Sequence, residues 1–393
     1  MNILQILPSV NVGGAGLTAL RIAEHLHRGA RPASVWSPGV GPLYREAERL
    51  NLDPRAFDPS RALAAGRFGA AIANLGFCKA LRREGPGIAH VHSPYLYGAM
   101  RPALRLSGFR SIVHVQLEED REGLRWAFRR PPELIVTCSR SLIDHVRDCL
   151  PARLRDRQWI EAVPNAVDTT IFRPGDRVEA KARLGAPAAT PLLLMLANLA
   201  PHKGQETTIR AVAALKRRGI AVTCWLAGIE RREDGYSGRL RQLIAALGVQ
   251  DRVMLLGQRG DASDLLRAAD FFLLPSTNEG LPLSILEAQA TGVPVLAAPT
   301  AGIPEVIVDG ETGYLIPAAD AEGYADRVAN LIANPATAGT IADEARRFVC
   351  ERYNWGSFLR SIDALYGAVA AGVQDRRPLP LVAPLGLGAG GRG

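Results

Sequence analysis

The chain has 393 residues, 47% of them hydrophobic and 22% charged, which excludes a disordered or fibrous protein and predicts two domains with full cores. No apolar run approaches the ~20 residues of a spanning helix. The net charge of +8 is uneven: residues 1–165 hold 23 Arg and Lys against 15 Asp and Glu, while residues 166–393 hold 24 against 24.

Read in chain order, the start, Met1-Asn-Ile-Leu-Gln-Ile-Leu, lacks the charged segment of a signal peptide and looks like a first strand. Val12-Gly-Gly-Ala-Gly16 follows and opens a helix at 17–26, where glycine lets backbone approach a ligand or pack tightly. Further strands are predicted at 34–36, 88–92, 111–115, 134–138 and 160–163. Arg121, Arg125, Arg129 and Arg130, with Trp126 and Phe128 between them, form the densest basic patch and read as a solvated helix end. Pro174, Gly175, Gly185, Pro187 and Pro191 then interrupt the pattern. It restarts with strands at 191–197, 222–227, 253–256, 271–274, 293–297 and 314–316. Near-continuous apolar strands separated by helices imply parallel sheets buried on both faces.

The prediction is therefore an α/β chain of two Rossmann-like domains, 1–172 and 173–355, followed by a C-terminal helix at 356–375 that is expected to return to the first domain. The Pro/Gly-rich tail 376–393 is expected to be disordered. Ligands of such sheets bind outside the carboxyl ends of the strands, so the two domains are expected to face each other across an active-site cleft. The five cysteines are odd in number and lack metal-ligand spacing, which predicts a cytoplasmic chain with reduced thiols and no structural zinc. The basic first half is expected to meet something anionic, such as the inner face of a membrane, a lipid phosphate or an acidic acceptor. No motif supports nucleic acid.

The richest stretch is Ser276-Thr-Asn-Glu279-Gly-Leu-Pro-Leu-Ser-Ile-Leu-Glu287-Ala-Gln-Ala-Thr-Gly-Val-Pro-Val295. Pro282 suits a first helical position, which puts Glu279 in a loop and Glu287 about a turn into the helix. The N–H groups of Gly280, Leu281, Leu283 and Ser284 then converge at a helix N-terminus, an anion site. A carboxylate beside an anion cradle makes sense if it grips hydroxyls. A diphosphate with a sugar on each side, a nucleotide sugar, satisfies the whole arrangement.

This pattern resembles the E-x7-E motif of retaining GT-B glycosyltransferases of family 4. The resemblance extends through Ala301-Gly-Ile-Pro-Glu305-Val-Ile-Val-Asp-Gly310-Glu-Thr-Gly313-Tyr-Leu, Val163-Pro-Asn-Ala-Val-Asp168 and Lys203-Gly204, and covers roughly residues 1–370. It implies sugar transfer from a nucleotide-diphosphate sugar to a glycan or lipid-linked acceptor, without cofactor or required metal, in cell-surface polysaccharide, glycolipid or glycoconjugate synthesis. The departing diphosphate itself would help deprotonate the acceptor hydroxyl. Lys203 and Glu279 are the implied catalytic pair, with Lys203 on the diphosphate, Glu279 near the donor sugar and Glu287 on the ribose hydroxyls. Gly14, Asn198, Gly228, Arg259, Gly280, Leu281 and Leu283 complete the implied donor set.

Gly13, His92, His114 and Gln116 are the implied acceptor- or sugar-facing residues, and Ala89-His90-Val-His92-Ser93 matches the family's His-x-His strand end. Two positions depart from the family pattern. Asn198 replaces an arginine, removing one of two expected cations. Gln116 takes the place of a sugar-facing histidine, with His114 two residues earlier. These departures keep open an alternative, a catalytically weak member that binds nucleotide sugar as a regulator. Only four lysines (Lys79, Lys181, Lys203, Lys216) stand among 47 basic residues, so a lysine at 203 is not this chain's default cation. Glu118-Glu119-Asp120 is the closest approach to an Asp-x-Asp metal motif and lacks the strand-end setting.

Overall fold

The computed structural model describes residues 1–59, 67–230 and 235–372. The tail expected at 376–393 lies outside them. Two compact units are present: Met1–Pro164 together with the chain from Gly356, and Asn165–Trp355. The boundary expected at 172/173 therefore falls inside the second unit. The reason is local pairing: Val167 bridges Asn354 and its N–H donates to the Tyr353 carbonyl at 2.8 Å.

The first unit holds a seven-stranded parallel sheet in the order β3-β2-β1-β4-β5-β6-β7. Its strands are β1 (Asn2–Ile6), β2 (Ala33–Ser37), β3 (Pro54–Ala56), β4 (Gly87–Val91), β5 (Arg110–Val115), β6 (Leu134–Thr137) and β7 (Ile160–Ala162). Six of these were anticipated from apolar runs. β3 was not, because it is a three-residue edge strand that begins with proline and leaves Arg55 and Ala56 exposed, so it has no apolar signature.

The helix after β1 runs Gly14–Arg28, three residues earlier than expected, with extended Gly13 as its N-cap. Gly16 is buried there, and a Cβ on it would press on Leu43 at 3.2 Å, so this glycine serves packing. Ser93 caps the helix Pro94–Ser107, Pro94 occupies its first turn, and left-handed Gly108 ends it. The helix Trp355–Ala371 packs within this first unit. Asp363 pairs with His25 at 2.7 Å and with Arg31, and the Arg110 guanidinium donates to the carbonyls of Val369 and Ala370.

The second unit holds a six-stranded parallel sheet in the order β10-β9-β8-β11-β12-β13. It comprises β8 (Leu192–Leu196), β9 (Thr223–Ala227), β10 (Val253–Gly257), β11 (Phe271–Leu274), β12 (Val295–Ala297) and β13 (Tyr314–Leu315). Central β11 is buried along its whole length, and enclosing a side chain such as Phe272 is worth about 1.5–3 kcal/mol. Among the described residues, no helix is long and apolar enough to cross a membrane.

Candidate active site

In the second unit Asn198 and Lys203 follow β8 and the stretch from Glu279 to Glu287 follows β11, while Gly228 and Arg259 follow β9 and β10. After β8 the chain turns through Asn198 and the 3-10 turn Pro201–Lys203 before the helix Gln205–Arg217. After β11 the loop 275–282 is strapped to that turn. Ser276 Oγ donates to the His202 carbonyl at 2.9 Å and Thr277 N–H to the same oxygen at 2.8 Å. Gly204, with φ of +80°, makes the close approach possible, since a Cβ there would lie 2.0 Å from the Pro275 carbonyl oxygen. Gly228 does the same after β9, where a Cβ would meet the Ala197 oxygen at 1.9 Å.

The consequence is a direct contact between the two expected catalytic residues. Lys203 Nζ lies 2.7 Å from Glu279 Oε1, with the side chains 15% and 5% exposed. An ammonium has three donors, and only one points at Glu279. The scarcity of lysine is not by itself a functional sign. Lys181 is equally enclosed, bonded to Asp270 at 2.6 Å and to the Thr190 carbonyl at 3.0 Å, and does structural work between a helix and the start of β11.

The helix Leu283–Thr291 begins one residue later than expected, because Pro282 is extended and serves as its N-cap. The first N–H groups of any helix lack intrahelical partners, and in this helix they belong to Leu283 and Ser284, two of the four expected at the anion site. Left-handed Gly292 closes the helix. Glu287 sits five residues in, where burial pushes its carboxyl pKa up to about 7. Gln289, on the same helix, donates to the carbonyls of Val306 and Thr312 at 3.0 Å each. Gly302 N–H reaches the Gly280 carbonyl at 2.8 Å, so the block from Ala301 to Leu315 braces the Glu279 loop. Arg259, one of the implied donor residues, is paired with Asp261 at 2.8 Å.

Two supporting residues were missed. Gln205 is fully buried, and its amide donates to the Asn198 carbonyl at 2.8 Å, fixing the backbone of the departing position. Asn165 donates to the Leu281 carbonyl at 2.8 Å and so holds the turn that enters the helix. The only sequence signal was position: a polar residue next to Lys203-Gly204, and an asparagine in the Val163–Asp168 block.

In the first unit, Gly13 and Gly14 sit at a helix N-terminus as expected. The histidines differ from expectation. His92 is 4% exposed and His114 0%, both packed with His90 in a buried cluster, so neither ring presents a surface to a sugar within its own unit. Burial holds all three neutral, with His114 pushed down to about 3 and His90 and His92 well below the usual range. Gln116, just past β5, keeps partial exposure. Asp120 caps the helix Arg121–Ala127 through Gly123 N–H at 2.7 Å. The aromatic residues of the basic patch face inward: Phe128 is fully buried and Trp126 packs over Gly98.

A family model described as "Glycosyl transferases group 1" matches residues 176–348, and one described as "Glycosyltransferase Family 4" matches residues 12–171. A Saccharomonospora viridis protein named D-inositol 3-phosphate glycosyltransferase is 35% identical over 72% of this chain and 65% of its own length. A Corynebacterium glutamicum protein of the same name is 27% identical over 91% of this chain and 92% of its own. The chain thus spans just under two thirds of the first of these relatives. Anabaena Alr3699/HepE, solved in complex with UDP-glucose, superposes with a TM-score of 0.82 at 22% identity, over 94% of this chain and 100% of that one. Matching models over both halves, joined to this fold, place the chain among the family 4, group 1 glycosyltransferases of the GT-B fold.

Proposed function

We propose that the protein transfers a sugar, with retention of configuration, from a nucleotide-diphosphate sugar to an acceptor hydroxyl. The observation that carries this reading is the enclosed Lys203–Glu279 pair beside the helix N-terminus at Leu283, with Glu287 five residues into that helix. In this reading the diphosphate lies on Lys203 and the first N–H groups of the helix, and Glu287 accepts from the ribose hydroxyls. The bond from the anomeric carbon to the diphosphate oxygen breaks, the bond to the acceptor oxygen forms on the same face, and the acceptor proton passes to the departing diphosphate. A fixed ammonium lowers that barrier because negative charge grows on the leaving group. Glu279 holds the ammonium in place while leaving two of its donors for phosphate oxygens. The step requires no divalent metal, since Lys203 and backbone donors supply the charge stabilisation.

Structural neighbours solved with UDP and UDP-glucose support a nucleotide-sugar donor, and the relatives' names put a phosphorylated inositol first among acceptors to try. A role in polysaccharide or glycolipid synthesis, in the cytoplasm or on the inner membrane face, completes the proposal. The deciding experiment is a thermal-shift panel of nucleotide sugars followed by product analysis of the best donor with inositol phosphate and lipid-linked acceptors, without added magnesium or manganese. A sugar product with the anomeric configuration of the donor is expected; an inverted product would refute the retaining assignment.

The second reading, a regulator that binds but does not transfer, draws support from Asn198 in place of a cation. Slow hydrolysis of the donor without acceptor is the mark of a competent transferase, and its complete absence with a tightly bound donor favours the regulator. Membrane contact has its own test. Co-sedimentation of the full chain with anionic vesicles at low salt should weaken in Arg129→Glu/Arg130→Glu by ~1 kcal/mol per charge removed or more; an unchanged partition would leave the charge asymmetry without a membrane role.

A further inference from the structure

The proposed transfer makes no use of the buried histidines of the first unit. His90 and His92 lie two apart at the end of β4 on one sheet face. The register pairs Val91 with Val113, and so sets His114 beside His92. Their rings stack at centroid distances of 4.4 to 5.6 Å. His90 Nε2, His92 Nδ1 and both nitrogens of His114 are buried without a hydrogen-bond partner. One ring nitrogen from each histidine lies within 4.8 Å of the others, the one grouping of potential metal ligands of this kind among the described residues.

The outward nitrogens are engaged in a way that aims the inner ones. His92 Nε2 lies 2.8 Å from Gln5 Oε1, which can only accept, so the ring proton sits on Nε2 and Nδ1 presents a lone pair. His90 Nδ1 lies 2.7 Å from the Tyr366 hydroxyl, whose oxygen also receives Gln5 Nε2 at 2.8 Å. Either tautomer of His90 fits its bond to Tyr366; the one with its proton on Nδ1, which a metal ion would select, leaves the lone pair of the unpartnered Nε2 free. Metal-bound histidines are commonly steered by such a second partner on the far nitrogen.

We propose that His90, His92 and His114 form a binding site for a divalent transition-metal ion of the class that imidazole favours, zinc, cobalt, nickel or copper, rather than magnesium or calcium. Zinc–nitrogen bonds of about 2.0–2.1 Å place tetrahedral ligand atoms about 3.3 Å apart, so the rings rotate inward from their stacked positions when the ion binds. Three imidazoles leave one position open, where an anionic ligand or hydroxide offsets the charge. The ion would tie β4 to β5 and, through Gln5 and Tyr366, to the C-terminal helix. It belongs to the first unit, whereas Lys203, Glu279 and Glu287 belong to the second, and it carries no step of sugar transfer.

The test uses tag-free, full-length protein refolded in zinc or cobalt, because a buried site loads most readily as the chain folds, and then dialysed free of loose metal. The expected result is one retained ion per chain by elemental analysis and, with cobalt, the visible d–d bands of a tetrahedral nitrogen site. His114→Leu, which keeps the Gln5–Tyr366–His90 bonds, is expected to lose both signals while remaining folded; His92→Phe serves if that variant does not fold. A wild-type protein that retains neither zinc nor cobalt overturns the proposal and leaves the rings to a buried water. A folded variant with wild-type metal content also overturns it, since the ion would then lie elsewhere.

Discussion

In the second unit, a lysine and a glutamate meet at 2.7 Å beneath a helix N-terminus and both keep their charge partner. In the first, three imidazoles of comparable burial are held neutral, and two of them, His90 and His92, lean on a phenol and an amide. Both places put polar atoms where water is scarce. They differ in what each can still do. A paired ammonium with spare donors can meet an incoming anion without being newly desolvated, whereas a neutral ring offers one donor and one lone pair, and only the lone pair can take a cation.

The sharpest way to break this contrast is Lys203→Met. Loss of one cation facing a leaving diphosphate is expected to lower kcat by about 10²–10³, with a smaller effect on donor binding. The same change strands Glu279, so the variant should also melt earlier, and adding Glu279→Gln should recover part of that stability without recovering turnover. If the double variant is no more stable than the single one, the pair is not the electrostatic unit described here.

Glu287 gives the next largest effect and a sign that can be checked. Its folded pKa of about 7 lies above that of a free carboxyl. Ionising it therefore costs the unliganded fold stability that is full below the ordinary carboxylate range and lost as pH rises through about 7. If Glu287 holds the ribose hydroxyls as proposed, they donate to its ionised form, and affinity should move the other way. UDP-glucose, whose diphosphate has no proton to lose near neutrality, is expected to bind up to about tenfold more weakly per pH unit below 7. Glu287→Gln should bind roughly 1.5–3 kcal/mol more weakly at pH 8 and show a flat profile. A Gln variant that keeps the pH dependence would move the titrating group elsewhere.

In the first unit the corresponding change is Tyr366→Phe. The phenol joins Gln5 and His90 across the C-terminal helix, and its loss should cost roughly 1–3 kcal/mol in urea unfolding. A variant as stable as wild type would show that the neutral cluster is not what fastens that helix. The smallest effect is expected from Asn198→Arg, which restores a second cation near the diphosphate and should tighten nucleoside diphosphate by about 1 kcal/mol, near fivefold in Kd. Unchanged affinity would mean that residue 198 faces away from the ligand.

The sequence was most legible where a strand is buried on both faces. The apolar runs of β8 and β11 needed no knowledge of their neighbours, and the loops after them follow from Gly204 and Pro282. It was least legible where a residue's meaning depends on distant chain. Nothing near Lys203 announces that Glu279, 76 positions on, is its partner. His90 and His92 were legible as a strand-ending His-x-His, but their depth depends on Tyr366, 276 residues from His90. Edge strand β3 escaped because a half-exposed Pro-Arg-Ala has no pattern to read.

The contact between Gln5 and Tyr366 spans 361 positions, whereas every residue of the second unit lies between 165 and 355. During vectorial synthesis the two units therefore have different histories. The second emerges as one uninterrupted stretch and can complete its sheet while the ribosome is still at work. The first begins earlier and finishes later, because the helix that covers Gln5 and His90 is among the last segments made. At typical rates of 5–20 residues per second, the intervening stretch takes roughly 10–40 s to appear. For that interval the nascent first unit has a sheet whose histidine face is open to solvent and to whatever ions the solvent carries.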